Sequence, residues 1–226
     1  MKSIINIFIL LVTLNVFSQE PPNFTAVDSL YREDQFYVGI TYNVIQNRNS
    51  GISQGKFTPS FSFGFLRDMP VNKKRTLAIA AGLGYAINNF NQNIATQEIN
   101  GNFSYNILNT AFVKNKQILH YIDLPIEFRW RNSTPESHKF YRVYLGFKAS
   151  YLVFDQLNFE DGNQSISVNS NPDFNKLQYG TYLSLGNNTI NLYVYYGLNP
   201  IYKSAFLNNE PLKLKTLNLG FMFYIL

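Results

Sequence analysis

The chain has no cysteine, and only two histidines and one tryptophan among its 226 residues. Without thiols there can be no disulfide, no cysteine nucleophile and no cysteine-based metal centre. The two histidines, His120 and His138, do not form a metal-ligand spacing with acidic residues, and no cofactor is expected. Charge is scarce too. Asp, Glu, Lys and Arg make up 15% of the chain, against about a quarter in ordinary soluble domains. The net charge of +5 is dispersed apart from "NKKR" at 72–75. No aromatic-basic motif accompanies it, so no nucleic-acid partner is expected. Beyond the N-terminus no apolar run approaches the about 20 residues that a membrane-crossing helix needs.

What is plentiful is aromatic: 20 Phe and 16 Tyr. This aromatic composition favours strands over helices. The first residues read differently. Lys2 precedes "IINIFILLVTLNVF", and Ser18 and Gln19 follow, the pattern of a charged n-region, a short apolar h-region and a small residue at the cleavage point. Residues 1–18 are therefore expected to be a secretory signal peptide, and with no cysteine after it a lipoprotein anchor is excluded. Residues 19–34 are polar and proline-containing and read as a periplasmic tether.

From residue 35 the period is two. "FYVGITYNV" sets Phe36, Val38, Ile40 and Tyr42 on one face, and "FTPSFSFGFLR" sets Phe57, Phe61, Phe63 and Phe65 together. "IDLPIEFRWR" gives Ile122, Leu124, Ile126, Phe128 and Trp130 on one face against Asp123, Pro125, Glu127, Arg129 and Arg131 on the other. Stretches beginning at Leu77, Tyr141, Leu177, Ile190 and Leu217 continue the pattern to the C-terminus. About eight strands of roughly 9–14 residues follow, the length of tilted membrane-spanning strands. Long polar connections (46–55, 89–117, 155–175, 203–211) alternate with shorter ones (68–74, 132–139, 186–188), as in outer-membrane barrels with long extracellular loops and short periplasmic turns. Residues 35–226 are thus expected to form an eight-stranded antiparallel up-and-down transmembrane β-barrel in the bacterial outer membrane. With an even strand count, both termini are periplasmic.

Glycine sharpens the choice between inside and outside. Gly39, Gly64, Gly82, Gly84, Gly146, Gly180, Gly197 and Gly220 all fall on the less apolar face of their strands. If the apolar faces met lipid, these glycines would line a narrow lumen and make room for bulky neighbours. A soluble eight-stranded carrier with its apolar faces turned inward is the alternative, but the low charge and the aromatic C-terminal strand oppose it. Asp123, Glu127, Arg129 and Arg131, with Arg142 and Lys148 from the next strand, then point into the lumen within cross-strand reach. Opposite charges paired in a narrow interior are tolerable where isolated ones are not, so they read as a salt-bridged plug rather than a wide pore. Pro125, which has no N–H for the ladder, is expected to mark a bulge or bend. Phe128, Trp130 and Tyr224 suit an interfacial aromatic girdle. Catalysis has little support: His120 lies near the outer end of its strand, and His138 sits beside Ser137 in a turn, neither in the setting of a triad.

The segments "RDMPVNKKR", "LAIAAGLGYAINNFNQN" and "HYIDLPIEFRWRNSTPESHKFYRVYLGFKASY", with a signal ending in "FSQ", resemble the PorT/SprT family of small outer-membrane β-barrel proteins of the Bacteroidetes. The likeness extends over about 35–226; the proline-bearing strand with "EFRWR" and the "STPES" turn are its most specific parts. The resemblance implies a non-enzymatic role in type IX protein secretion and, in gliding species, motility. The implied partners are outer-membrane lipid and other secretion-system proteins, with no small-molecule substrate. That family has no established catalytic residues, so none carries over. The alternative function is a small porin-like barrel passing solutes or ions.

Overall fold

A strand that alternates apolar and polar residues has two unlike faces, and closing such strands into a ring puts one face wholly inside. The computed structural model describes residues 32–55, 57–108, 114–132, 141–160 and 165–225. Its strands in chain order are β1 (Gln35–Gln46), β2 (Pro59–Pro70), β3 (Leu77–Asn91), β4 (Ile94–Ile99), β5 (Asn102–Ile107), β6 (Lys114–Arg131), β7 (Tyr141–Glu160), β8 (Ser165–Asn169), β9 (Leu177–Asn187), β10 (Ile190–Gly197), β11 (Phe206–Leu207), β12 (Glu210–Pro211) and β13 (Lys215–Ile225). Eight of them, β1, β2, β3, β6, β7, β9, β10 and β13, form a closed antiparallel barrel. β1 closes it against β13, in register from Phe36↔Ile225 to Gln46↔Lys215. The 71–76 and 188–189 turns lie at the same end as these two chain ends. The expected signal peptide, most of the tether, the "STPES" turn and His138 lie outside the described residues.

The apolar faces point outward. Phe63, Leu124 and Leu192 are 56%, 55% and 59% exposed, and the whole "IDLPIEFRWR" alternation repeats this, with Ile122 to Trp130 outside and Asp123 to Arg131 buried. This is the lipid-facing band of a membrane barrel. Tyr224 departs from the girdle reading: it shares the face of Gly220 and Met222, points into the lumen and is 2% exposed.

Pro125 makes no bulge. The β3–β6 ladder keeps one register through Ala81↔Ile126 and Gly84↔Asp123 while omitting the pairs between them, which is what a missing N–H does to a ladder. The register shift lies higher, where His120 opposes Phe154 and Tyr121 opposes Leu152. Val153 is the extra residue, and the bulge turns both Val153 and Phe154 outward.

The connections at the far end differ most from expectation. β3, β6 and β7 run to 15, 18 and 20 residues, because the backbone ladder continues after the apolar alternation has ended. Within 89–117 lies the β4–β5 hairpin, turned at Asn100 and Gly101 with φ of 53° and 79°. Both values suit the I′ turn that joins right-twisted strands. Asn208 and Asn209, at φ 51° and 65°, turn β11 into β12 in the same way. These elements close that end with an apolar core that includes Ile45, Phe90, Ile94, Leu119, Phe174, Ile201, Tyr202, Leu212 and Leu214. Tyr202 stacks on Phe174 at 4.8 Å and meets Tyr105 edge-on at 5.5 Å. Tyr105 Oη donates to Asp173 Oδ2 (2.9 Å) and accepts from Asn171 Nδ2 (2.8 Å), and burial holds this hydroxyl well above the ordinary tyrosine range.

Candidate functional site

Because the lipid face takes the apolar residues, whatever is charged on the wall strands must fit inside. Asp123, Glu127, Arg129, Arg131 and Arg142 are at most 2% exposed, and the Lys148 side chain is 14% exposed. β6 and β7 face one another in the register Asp123↔Ser150, Pro125↔Lys148, Glu127↔Gly146, Arg129↔Tyr144, Arg131↔Arg142. Lys148 Nζ reaches diagonally to Asp123 Oδ2 at 3.0 Å and lies 4.6 Å from the Tyr195 ring centre. Arg129 Nε donates to Glu127 Oε2 (2.7 Å).

These six residues hold four cations against two carboxylates, and the two missing anions come from elsewhere. Asp68 on β2 accepts from Arg131 Nη1 and Nη2, both at 2.8 Å, and from Arg129 Nη1 at 3.0 Å. Glu33 enters from the segment before β1, fully buried, with Oε1 3.4 Å from Arg131 Nε and Oε2 3.6 Å from Arg142 Nη2. Its carbonyl accepts from Arg129 Nη1 (3.2 Å) and its N–H donates to Asp68 Oδ2 (3.3 Å). The end of the expected tether is therefore a stopper in the barrel mouth. The charge imbalance was the sequence signal that could have found both acids.

Above this layer tyrosines fill the bore. Tyr182 Oη and Tyr224 Oη both donate to Glu127 Oε1, at 2.8 and 3.0 Å. The Arg129 guanidinium sits 4.8 Å from the Tyr144 ring centre, a cation–π contact. Two glycines are required by these rings: a Cβ on Gly146 would fall within the Tyr182 ring, and one on Gly84 against the Tyr37 hydroxyl. Among the described residues, mid-barrel holds cavities of about 10 and 20 Å³, both bordered by Asp123 and Lys148. A cavity needs about 10–15 Å³ to admit one water. The apolar core under β4–β5 and β11–β12 lies beyond them. Charged layer, tyrosine layer and apolar cap thus follow one another along the bore.

His120 points outward, with Nδ1 2.8 Å from Tyr85 Oη and its ring against Phe154. Among the described residues no group of three His, Asp or Glu is placed to hold a metal ion.

A closed barrel with an outward apolar band and a filled polar interior is the architecture of small outer-membrane proteins. The chain belongs to the outer membrane protein beta-barrel domain family, whose model matches residues 17–203. It is an outer-membrane barrel protein. Among solved structures it is similar to Ail, the attachment invasion locus protein of Yersinia pestis, at 13% identity and a TM-score of 0.39, over 85% of this chain and 97% of that one. Ail in complex with the heparin analogue sucrose octasulfate gives 13% identity and a TM-score of 0.38, over 86% and 99%. No curated protein matches the sequence.

Proposed function

We propose that the protein is a non-enzymatic component of type IX protein secretion that works through contacts with other secretion proteins and not as a conduit. The observation that carries this reading is the filled bore. Arg129, Arg131 and Arg142 are neutralised in place by Glu33, Asp68 and Glu127, and the mid-barrel cavities bordered by Asp123 and Lys148 are of the size of a water molecule. A barrel that passes neither protein nor solute has its turns, loops and outer wall left to act with. The resemblance to the PorT/SprT family in "IDLPIEFRWR" and its neighbours supplies the secretion assignment.

In this reading the end bearing Glu33, Ile225 and the 71–76 and 188–189 turns faces the periplasm, and the capped end faces outward. Residues 1–18 are removed on export. Deleting the gene should retain type IX cargo inside the cell, with export restored by the intact gene; normal cargo export in the deletion strain would refute the proposal. Co-purification from outer membranes in mild detergent should then identify the partners.

A further inference from the structure

The loop-end rim of the barrel carries a basic patch beside the lipid-facing band. Just beyond the apolar band, lysines gather on one side of the barrel, on the wall and in the connections that leave it. Lys116 lies on the outer face of β6, Lys176 precedes β9, Lys203 follows β10, Lys213 precedes β13 and Lys215 begins it. Within the ring these belong to the contiguous arc β6, β7, β9, β10 and β13. Among the described residues none of the five is ion-paired. Unpaired lysines beside a lipid-facing band place their stems on apolar surface and their ammoniums at headgroup level.

Within this arc lies a concavity of about 310 Å³, lined by Val153, Phe154, Ser170, Asn171, Lys176 and Lys203 among others. Its floor is made by the β-bulge, which turns two consecutive apolar side chains, Val153 and Phe154, toward the membrane side at 45% and 44% exposure. Its rim is the two lysines. The carboxylate in the lining, Asp155, accepts from the Asn171 backbone N–H at 2.9 Å and also faces Lys176 without forming an ion pair with it, so the charge of Lys203 is the one no carboxylate of the lining meets. An apolar floor continuous with the lipid band and a dibasic rim match an amphiphile with an anionic head.

We propose that this pocket binds a phosphorylated lipid of the surrounding leaflet, its phosphate between Lys176 and Lys203 and an acyl chain over Val153 and Phe154, with Lys213 and Lys215 extending the anionic contact. Which leaflet is met rests on the orientation proposed above; the binding itself does not, and a test in nanodiscs open to both faces separates the two. Full-length barrel in zwitterionic nanodiscs is titrated with lipid A carrying two phosphates, with its dephosphorylated form, and with inorganic phosphate, following retention by native mass spectrometry and the shift in melting temperature. Phosphorylated lipid A should be retained and should raise the melting temperature, and neither other probe should. The double variant K176Q/K203Q should bind about 30-fold more weakly, the loss corresponding to two lysines at an anionic surface. The variant K73Q/K74Q, at the opposite end, should bind as the parent does. All four lysines are solvent-exposed, and heat-modifiable migration confirms that each variant is folded. Equal binding of the dephosphorylated lipid, an equal effect of inorganic phosphate, or equal loss in both double variants would each overturn the proposal.

Discussion

Replacing Asp68 by Asn tests the charged layer at its most connected point. The carboxylate holds three guanidinium N–H bonds of 2.8, 2.8 and 3.0 Å, and all three side chains involved are 0% exposed. Asn keeps the shape but removes one charge and presents an amide N–H₂ to a guanidinium that can only donate. Three buried arginines, Arg129, Arg131 and Arg142, would then share Glu33 and Glu127. Breaking one partner of a buried pair typically costs about 3–5 kcal/mol, and the bidentate geometry places Asp68→Asn within that range. The comparison is Asp34→Asn, which keeps the Oδ1 that accepts the Asp68 backbone N–H at 2.8 Å and removes the charge of a pair with Arg67 that is 3.3 Å long with the side chains 31% and 56% exposed; such a surface pair is worth about 0–1 kcal/mol. Reversible urea unfolding of the barrel in lipid vesicles gives both numbers. A double-mutant cycle with Arg131→Gln should show coupling of about 1–3 kcal/mol. If Asp68→Asn costs no more than Asp34→Asn, the mouth is hydrated and the idea of a dry ionic stopper fails.

Further outcomes follow from the same geometry. Gly146→Val should displace the Tyr182 ring, break its bond to Glu127 Oε1 and lower the urea midpoint, whereas Gly101→Ala, where an added Cβ meets nothing within 4 Å, should cost only the strain of φ 79°. Ile126→Arg, near the middle of the outer band, should destabilise the barrel in vesicles by about 2–4 kcal/mol; a negligible change would argue that this face does not meet lipid. In planar bilayers the parent protein should show no stable conductance. Glu33→Gln, which removes the anion between Arg131 and Arg142, should lower the urea midpoint and leave the bilayer silent, because the tyrosines and the apolar cap still fill the bore; an open parent channel would refute the sealed bore.

Much of the wall was legible in the sequence because a β-barrel repeats one rule along every strand. Ile122 to Trp130 and Asp123 to Arg131 separate onto two faces by parity alone, and the glycines beside the tyrosines marked which face was crowded. Tyr224 was misplaced at the girdle although its own parity put it inside. Glu33 and Asp68 were not legible from local pattern. One follows a polar stretch and the other ends a strand, and only the fold brings them to Arg131. The cap was hidden for a different reason: Ile94, Tyr105, Phe174, Tyr202 and Leu212 are spread over several connections with no shared period, so each looks like an isolated apolar residue in a polar loop. Val153, the bulged residue, left no periodic signal either, since a bulge is visible only against its partner strand.

The position of Glu33 also bears on how the molecule comes together. It lies two residues before β1, the strand that must find β13 across nearly the whole chain, Phe36 against Ile225. Until that seam closes, both edges are open to other chains, and the pairing that closes it is the longest-range in the fold and the slowest kind to form. With the leading segment still outside, Arg131 and Arg142 also lack the carboxylate that lies between them. Sealing the seam and completing the charge balance of the mouth are therefore coupled, and a half-assembled barrel would present an open edge and a mouth one carboxylate short together, a recognisable state for any assembly factor to hold or to discard.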